Sequence, residues 1–363
     1  MQVSRSGKFV TFLTLALVVF GLVVLSSAGV VEGQKKFGSS YYYLTHQLLY
    51  GVLPGLVLFF ILSHINYKVW KRLALPILIV AVGLLVLVFV PATGFGLKGA
   101  QRWLDFKFFT FQPSEFLKLG LVIYLAAWFS KREGHINDGP SAVVPFFLVL
   151  AFIGLLLLMQ PDMGTLALVT IIAIGMYFFA GAKLSHFLIM FLILGLLLGA
   201  LSLVAPYRFD RIKTFFNSSQ DTQGTAYHIN QALIGIGSGG IFGLGYGQSK
   251  QKFNYLPEPV GDSIFAVLVE ELGFVGGIFL VSLFLLLALV MVGIAKNSSS
   301  QFGRLLILGI TTWISAQAFI NIASISGIIP LTGIPLPFVS FGSSSLLSLL
   351  SGLGIAVNIS RYS

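Results

Sequence analysis

The chain has 363 residues, 56% hydrophobic and only 9% charged, with a formal net charge of +10 and no cysteine. A soluble domain carries roughly 25% charged residues, so a soluble fold is excluded; the missing cysteine excludes disulfides and thiolate metal sites. The five histidines are scattered without metal-ligand spacing.

Apolar runs of about the 20 residues needed to cross a bilayer follow one another along the chain. The first, 9–31, comes after Arg5 and Lys8 and ends near Ser26-Ser27-Ala28. Its apolar core is too long for a cleaved signal, so it is read as a retained span. Further spans are predicted at 44–62, 73–90, 113–129, 141–159, 164–180, 186–204, 263–295, 304–327 and 341–358. The eighth is long enough to require tilt or a protruding end. The prediction is an all-α polytopic integral membrane protein, a single domain over 1–363 with about ten transmembrane helices. One large extracytoplasmic loop, 205–262, precedes span eight, and loops that long are functional or disordered.

The basic residues divide almost evenly between the two sides, so their distribution decides orientation. The short hinges at Lys68, Lys71 and Arg72 and at Lys131 and Arg132 are tightly juxtamembrane, which marks the cytoplasmic side. Both termini are then cytoplasmic. The outer loops 91–112 and 205–262 still hold Lys98, Arg102, Lys107, Arg208, Arg211, Lys213, Lys250 and Lys252. Positive charge kept there points to an anionic ligand or to anionic lipid headgroups.

Ionisable residues inside spans cost roughly 2.5–3.5 kcal/mol each unless paired or wet. In Phe111-Gln-Pro-Ser-Glu-Phe-Leu-Lys118, Pro113 suits a first helical turn. Glu115 and Lys118 then share a face, either as a self-neutralising pair or as the floor of an outward cavity. Asp162, in Gln160-Pro-Asp-Met-Gly-Thr165, reads as a turn-former or a cavity charge. Four of the chain's 12 acidic residues, Glu258, Asp262, Glu270 and Glu271, crowd residues 254–273. Asp262 is predicted as the N-cap of span eight. Glu270 or Glu271 is expected to face the bundle interior and pair with Lys118. The glycine-rich run 237–249 lacks the strand–turn–helix context of a nucleotide loop, so its glycines are expected to let irregular backbone pack on the bundle. Residues 328–345 hold three prolines and two glycines ahead of a serine run. Non-helical backbone at membrane depth must be buried or line a wet cavity, with Ser340 and Ser343 among the hydroxyls lining it.

KGAQRWL (98–104), FQPSEFLKL (111–119), QPDMGT (160–165), YLPEPVGDSIFAVLVEELG (255–273) and PLTGIPLPFVSFGSSS (330–345) together resemble the SEDS family of bacterial cell-wall proteins. The likeness runs in order over nearly the whole chain. GYGQSKQKFNYLPE (245–258) looks more like the division (FtsW) type than the elongation (RodA) type. Two positions depart: the usual SYGGSS reads Ser340-Phe-Gly-Ser-Ser-Ser345, and an expected Arg-Gln reads His46-Gln47.

The resemblance implies a peptidoglycan glycosyltransferase in the bacterial cytoplasmic membrane. It would polymerise lipid II at the outer face and release undecaprenyl pyrophosphate. Its implied partners are lipid II, the nascent glycan, a class B penicillin-binding protein and other division or elongation proteins, with membrane lipids around it and no nucleic acid. The family's loop aspartate matches Asp262, its loop arginine Arg102, its span-four charges Glu115 and Lys118, and its QPD aspartate Asp162. Asp262 would act as base on the attacking hydroxyl, with Glu258 assisting. Arg102, Lys98, Arg208, Arg211, Lys250 and Lys252 form the pool for the departing pyrophosphate. No cofactor is determined by the sequence; a divalent cation such as Mg or Mn is left open, with Asp262 as its candidate ligand. A lipid flippase and a non-enzymatic scaffold are the alternatives.

Overall fold

The computed structural model describes residues 4–90, 94–97, 100–105, 110–136, 140–183 and 225–362. Its first three helices are α1 (Arg5–Phe37), α2 (Tyr42–His64) and α3 (Lys68–Leu87). Then come α4 (Pro113–Ser130), α5 (Pro140–Met159), α6 (Met163–Phe179), α7 (Thr225–Ser238), α8 (Ile264–Asn297), α9 (Gln301–Ile325) and α10 (Ser343–Ile359). Among the described residues α1, α2, α3, α8 and α9 are long and apolar enough to cross a membrane, and shorter apolar stretches lie in α5, α6 and α10. The chain is a multi-pass membrane protein. The span expected at 186–204 lies outside the described residues.

Local chemistry ends these helices. Ser4 Oγ caps α1 by accepting from Gly7 N at 3.1 Å. Gly38 closes α1 in the left-handed region at φ 69°, which glycine adopts without steric cost. The α2–α3 turn is clamped by α10: Asn358 Oδ1 accepts from Tyr67 N at 2.9 Å, and Asn358 Nδ2 donates to Ser63 O at 2.9 Å. Within α2 the turn Leu48–Val52 widens to a π-helix. Gln47, just before that turn, receives Gly342 N at 3.1 Å.

The sequence reading assigns no strand or helix to the outer loops, and the structure corrects this. A small antiparallel sheet runs β1 (Gly94–Leu97), β2 (Ala100–Asp105), β3 (Thr110–Phe111). Strands this short and glycine-flanked fall below what period-2 patterning can detect. Helix α7 lies within the 205–262 connection and buries Ala226, Ile229 and Ala232, one stripe at three-residue spacing. It packs on α8 and α9.

Helix α8 has 34 residues, about 51 Å at 1.5 Å per residue, well beyond the ~30 Å hydrocarbon core. It breaks at Gly273, φ 69° and ψ −171°. The freed backbone groups are taken by the glycine-rich loop. Leu244 N and Gly245 N donate to Glu270 O and Glu271 O, both at 3.0 Å, and Phe274 N and Val275 N donate to Gly240 O and Ile241 O at 3.0 and 3.1 Å. That approach demands glycine: a Cβ on Gly239 would lie 2.1 Å from Val269 O, and one on Gly243 2.1 Å from Glu271 O.

Helix α1 makes an equally close contact with the 330–341 loop, where a Cβ on Gly21 would stand 2.1 Å from Phe338 O. Both sides are backbone, so neither can yield without moving the helix or the loop. Gly21→Ala is therefore expected to destabilise the protein by about 1–3 kcal/mol, read as a lower Tm in detergent. An unchanged Tm would mean that this contact is not formed.

Candidate active site

The turn carrying Asp262 is built by three neighbours. Within the turn, Gly261 N and Ser263 N both donate to Glu258 O, at 3.0 and 3.3 Å. From the 330–341 loop, Phe341 N donates to Val260 O at 2.8 Å and Ser340 Oγ to Gly261 O at 2.7 Å. From α9, Asn321 Nδ2 donates to Asp262 O at 2.8 Å. Every one of these anchors holds backbone. Asp262 is half-buried. Its Oδ2 lies 3.9 Å from where a side chain on Gly333 would begin, so glycine there leaves space beside the carboxylate.

Asp262 is not the N-cap of α8. Ser263 holds that position, and it makes no side-chain cap bond. The 257–263 turn completes a full reversal before the helix begins, which moves the cap one residue on.

Beneath the turn a polar ladder climbs α9. Lys118 Nζ donates to Glu115 at 2.8 Å and to Gln317 Oε1 at 2.9 Å. Gln317 also accepts from Trp313 Nε1 at 2.8 Å and donates to Pro335 O at 2.9 Å. One turn further, Asn321 donates to Ile334 O at 2.8 Å besides Asp262 O. Trp313, Gln317 and Asn321 recur every four residues, hence on one face. That is how the proline-rich loop satisfies its backbone at membrane depth. The sequence reading missed Gln317 and Asn321, though two buried amides four residues apart in an apolar span were the available signal. Lys118 is 1% exposed and pairs with Glu115 and Gln317, so the expected pairing with Glu270 or Glu271 is overturned.

Those two carboxylates face the glycine-rich loop instead. Glu270 accepts from Ser249 Oγ, Lys250 N and Gln251 N at 2.5, 2.9 and 3.3 Å. Glu271 accepts from Ser27 Oγ, Gly247 N, Ser249 N and Lys252 Nζ at 2.7, 3.0, 3.3 and 2.7 Å. Lys252 is buried and also donates to Ser27 Oγ and Gly247 O, at 2.9 and 2.8 Å. It is therefore a staple joining α1, α8 and the loop, and it leaves the pyrophosphate pool. Lys252→Met would leave Glu271 buried with only neutral donors. Breaking a buried pair costs about 3–5 kcal/mol, and the remaining donors set the expected loss near the lower figure. Thermal unfolding of the purified variant checks it, and an unshifted Tm would remove the staple.

Asp162 caps α6, accepting from Thr165 N at 3.1 Å and Thr165 Oγ1 at 2.8 Å. Arg102, on β2, reaches the same turn: Nε donates to Gln160 O at 3.1 Å and Nη2 to Pro161 O. Asp162 thus works as a cap, while Arg102 ties the β1–β3 sheet to the α5–α6 turn. Lys250 and Glu258 are exposed. Ser340 is buried in the turn's hydrogen bonds, whereas Ser343 opens α10. Lys98, Arg208 and Arg211 lie outside the described residues. At the C-terminal end of α1, Lys35 Nζ donates to Asn254 Oδ1 at 3.4 Å and Lys36 pairs with Glu32, which brings two further cations close to the loop that leads into Glu258.

A family model for cell-cycle proteins, that of FtsW, RodA and SpoVE, matches residues 8–363. The chain belongs to this family. It is 39% identical over 352 residues to stage V sporulation protein E of Bacillus subtilis (strain 168), covering 97% of this chain and 96% of that protein. It is 38% identical over 359 residues to the probable peptidoglycan glycosyltransferase FtsW of Geobacter sp. (strain M18), covering 99% and 98%. Among solved structures it superposes with a TM-score of 0.82 at 28% identity on a chain of a peptidoglycan synthase complex that coordinates polymerization and crosslinking, covering 98% and 97%. On the rod shape determining protein RodA of Thermus thermophilus the TM-score is 0.72 at 28% identity, covering 97% and 95%. The Asp262 turn lies between α7 and α8.

Proposed function

We propose that this chain is a peptidoglycan glycosyltransferase that polymerises lipid II into glycan strands at the outer face of the cytoplasmic membrane, in a division-type role. The observation that carries the reading is a carboxylate on a turn held by α9 and the 330–341 loop, in a chain related along its full length to proteins named as such enzymes.

In the proposed reaction the 4-hydroxyl of one sugar attacks the anomeric carbon of another. A new glycosidic C–O bond forms, the bond to the lipid pyrophosphate breaks, and the hydroxyl proton passes to Asp262. A neutral alcohol is a poor nucleophile, and a positioned carboxylate base is worth about 10²–10⁴-fold. Negative charge growing on the pyrophosphate calls for cations; Arg102 and Lys250 are the described candidates, with Lys98, Arg208 and Arg211 in the same outer loops. Among the described residues no three His, Asp or Glu side chains are grouped to cage a metal. Asp262 would be the ligand this chain offers a Mg or Mn ion, which would neutralise charge on the leaving group. The basic hinges at Lys68–Arg72 and Lys131–Arg132 support cytoplasmic termini and an extracytoplasmic Asp262. The partner we assign is a class B penicillin-binding protein that crosslinks the glycan.

The test is polymerisation of purified lipid II by the detergent-solubilised protein together with its partner synthase, whose crosslinking serine is blocked. Glycan polymer is the expected product. Lipid II crossing sealed vesicles with no polymer formed would move the assignment to a flippase, and loss of activity only on altering lipid-facing surfaces would move it to a scaffold.

A further inference from the structure

His228 has no part in the chemistry above, yet it touches the residue next to Asp262. Ser263 Oγ donates to Pro257 O at 2.8 Å, closing the turn that carries the carboxylate. A serine hydroxyl has one proton, and a carbonyl can only accept. Toward His228 Nε2, 2.5 Å away, Ser263 Oγ is therefore the acceptor, and His228 presents an N–H there. A second observation points the same way. A serine at an N-cap ordinarily accepts from the backbone of the first helical turn, but Ser263 makes no such bond. Its hydroxyl is committed to the turn rather than to the helix.

We propose that His228 is a positioning residue for Asp262: its Nε2–H holds Ser263 Oγ in the rotamer that closes the 257–263 turn. Without that donor, Ser263 is released to cap α8, Pro257 O loses its partner, and the carboxylate drifts. His228 sits on α7, whose stripe of Ala226, Ile229 and Ala232 is buried. A side chain at Gly327 in the α9–loop junction would meet Ile229 and Leu233 of the same helix. The outer-loop helix thus sets the geometry of the Asp262 turn through one side chain. The inference rests on Asp262 being the base and goes beyond it.

A misplacement of about 1 Å costs up to roughly 10²-fold in rate. In lipid II polymerisation with the partner synthase present, His228→Ala is expected to lower kcat by about 10–100-fold. KM should stay within about two-fold, since an interaction felt only in the transition state changes kcat. His228→Gln, which offers an amide N–H at similar reach, should recover most of the rate. Ser263→Ala should resemble His228→Ala, and the double variant should be no worse than either alone, because both remove one linkage. A His228→Ala rate close to wild type, a Gln variant as slow as Ala, or losses that multiply in the double variant would each overturn the proposal. Should His228→Ala fail to fold, the comparison of His228→Gln with Ser263→Ala decides it alone. Activity surviving in Asp262→Asn would instead sink the base assignment, whatever the His228 variants do.

Discussion

Asp262→Asn is expected to lower the polymerisation rate by about 10²–10⁴-fold, the range for losing a positioned general base, while the protein folds as before. The reason for both halves is geometric. Ser340, Phe341 and Asn321 grip the carbonyls of Gly261, Val260 and Asp262, so the turn keeps its shape when a carboxylate becomes an amide of equal size. The amide cannot accept a proton at neutral pH. Asp262→Glu keeps the charge but moves it out by one methylene, and a displacement of that order is expected to cost up to about 10²-fold. Measuring kcat and KM for both variants beside Tm separates chemistry from folding. Near-wild-type turnover in Asp262→Asn would take this residue out of the chemistry.

Lys118→Met is expected to carry the largest stability loss, about 3–5 kcal/mol. Lys118 and Glu115 are 1% and 2% exposed. Removing the ammonium leaves a carboxylate buried between helices with no counter-charge and takes one of two donors from Gln317 Oε1. The diagnostic variant is the double one, Glu115→Gln with Lys118→Met. Replacing both members of a buried pair by neutral groups is often nearly neutral for stability, so the double variant should regain most of the lost Tm. A double variant as unstable as Lys118→Met would show that the pair itself, rather than the orphaned charge, holds α4 to α9.

Several readings of single residues changed once their neighbours were known. Asp262, Glu270, Glu271 and Lys252 are all visible as charges in apolar surroundings, but their partners are not. Lys252 and Glu271 lie 19 positions apart, and Ser27 lies 225 from Lys252; no local period links them. Asp162 is a cap for a local reason, the hydroxyl of Thr165 three residues on, and that was legible. Gln317 and Asn321 were legible too, as amides four apart in an apolar span. His228 was not, because its contact with Ser263 joins residues 35 positions apart.

What the sequence by itself determined is everything that follows from local composition: a multi-pass membrane chain, a helix opened by Pro113, glycines where backbone must pass close, and ordered motifs that mark the family. Hydrophobic length and backbone hydrogen bonding act over a few residues, so they can be read directly. The Glu115–Lys118 pair, three residues apart, was legible; which partner Glu271 takes, why α8 breaks at Gly273, and how the Asp262 turn is held were decided only by the tertiary structure. In an apolar interior every polar group must find a partner, and the nearest one in space is seldom near in the chain.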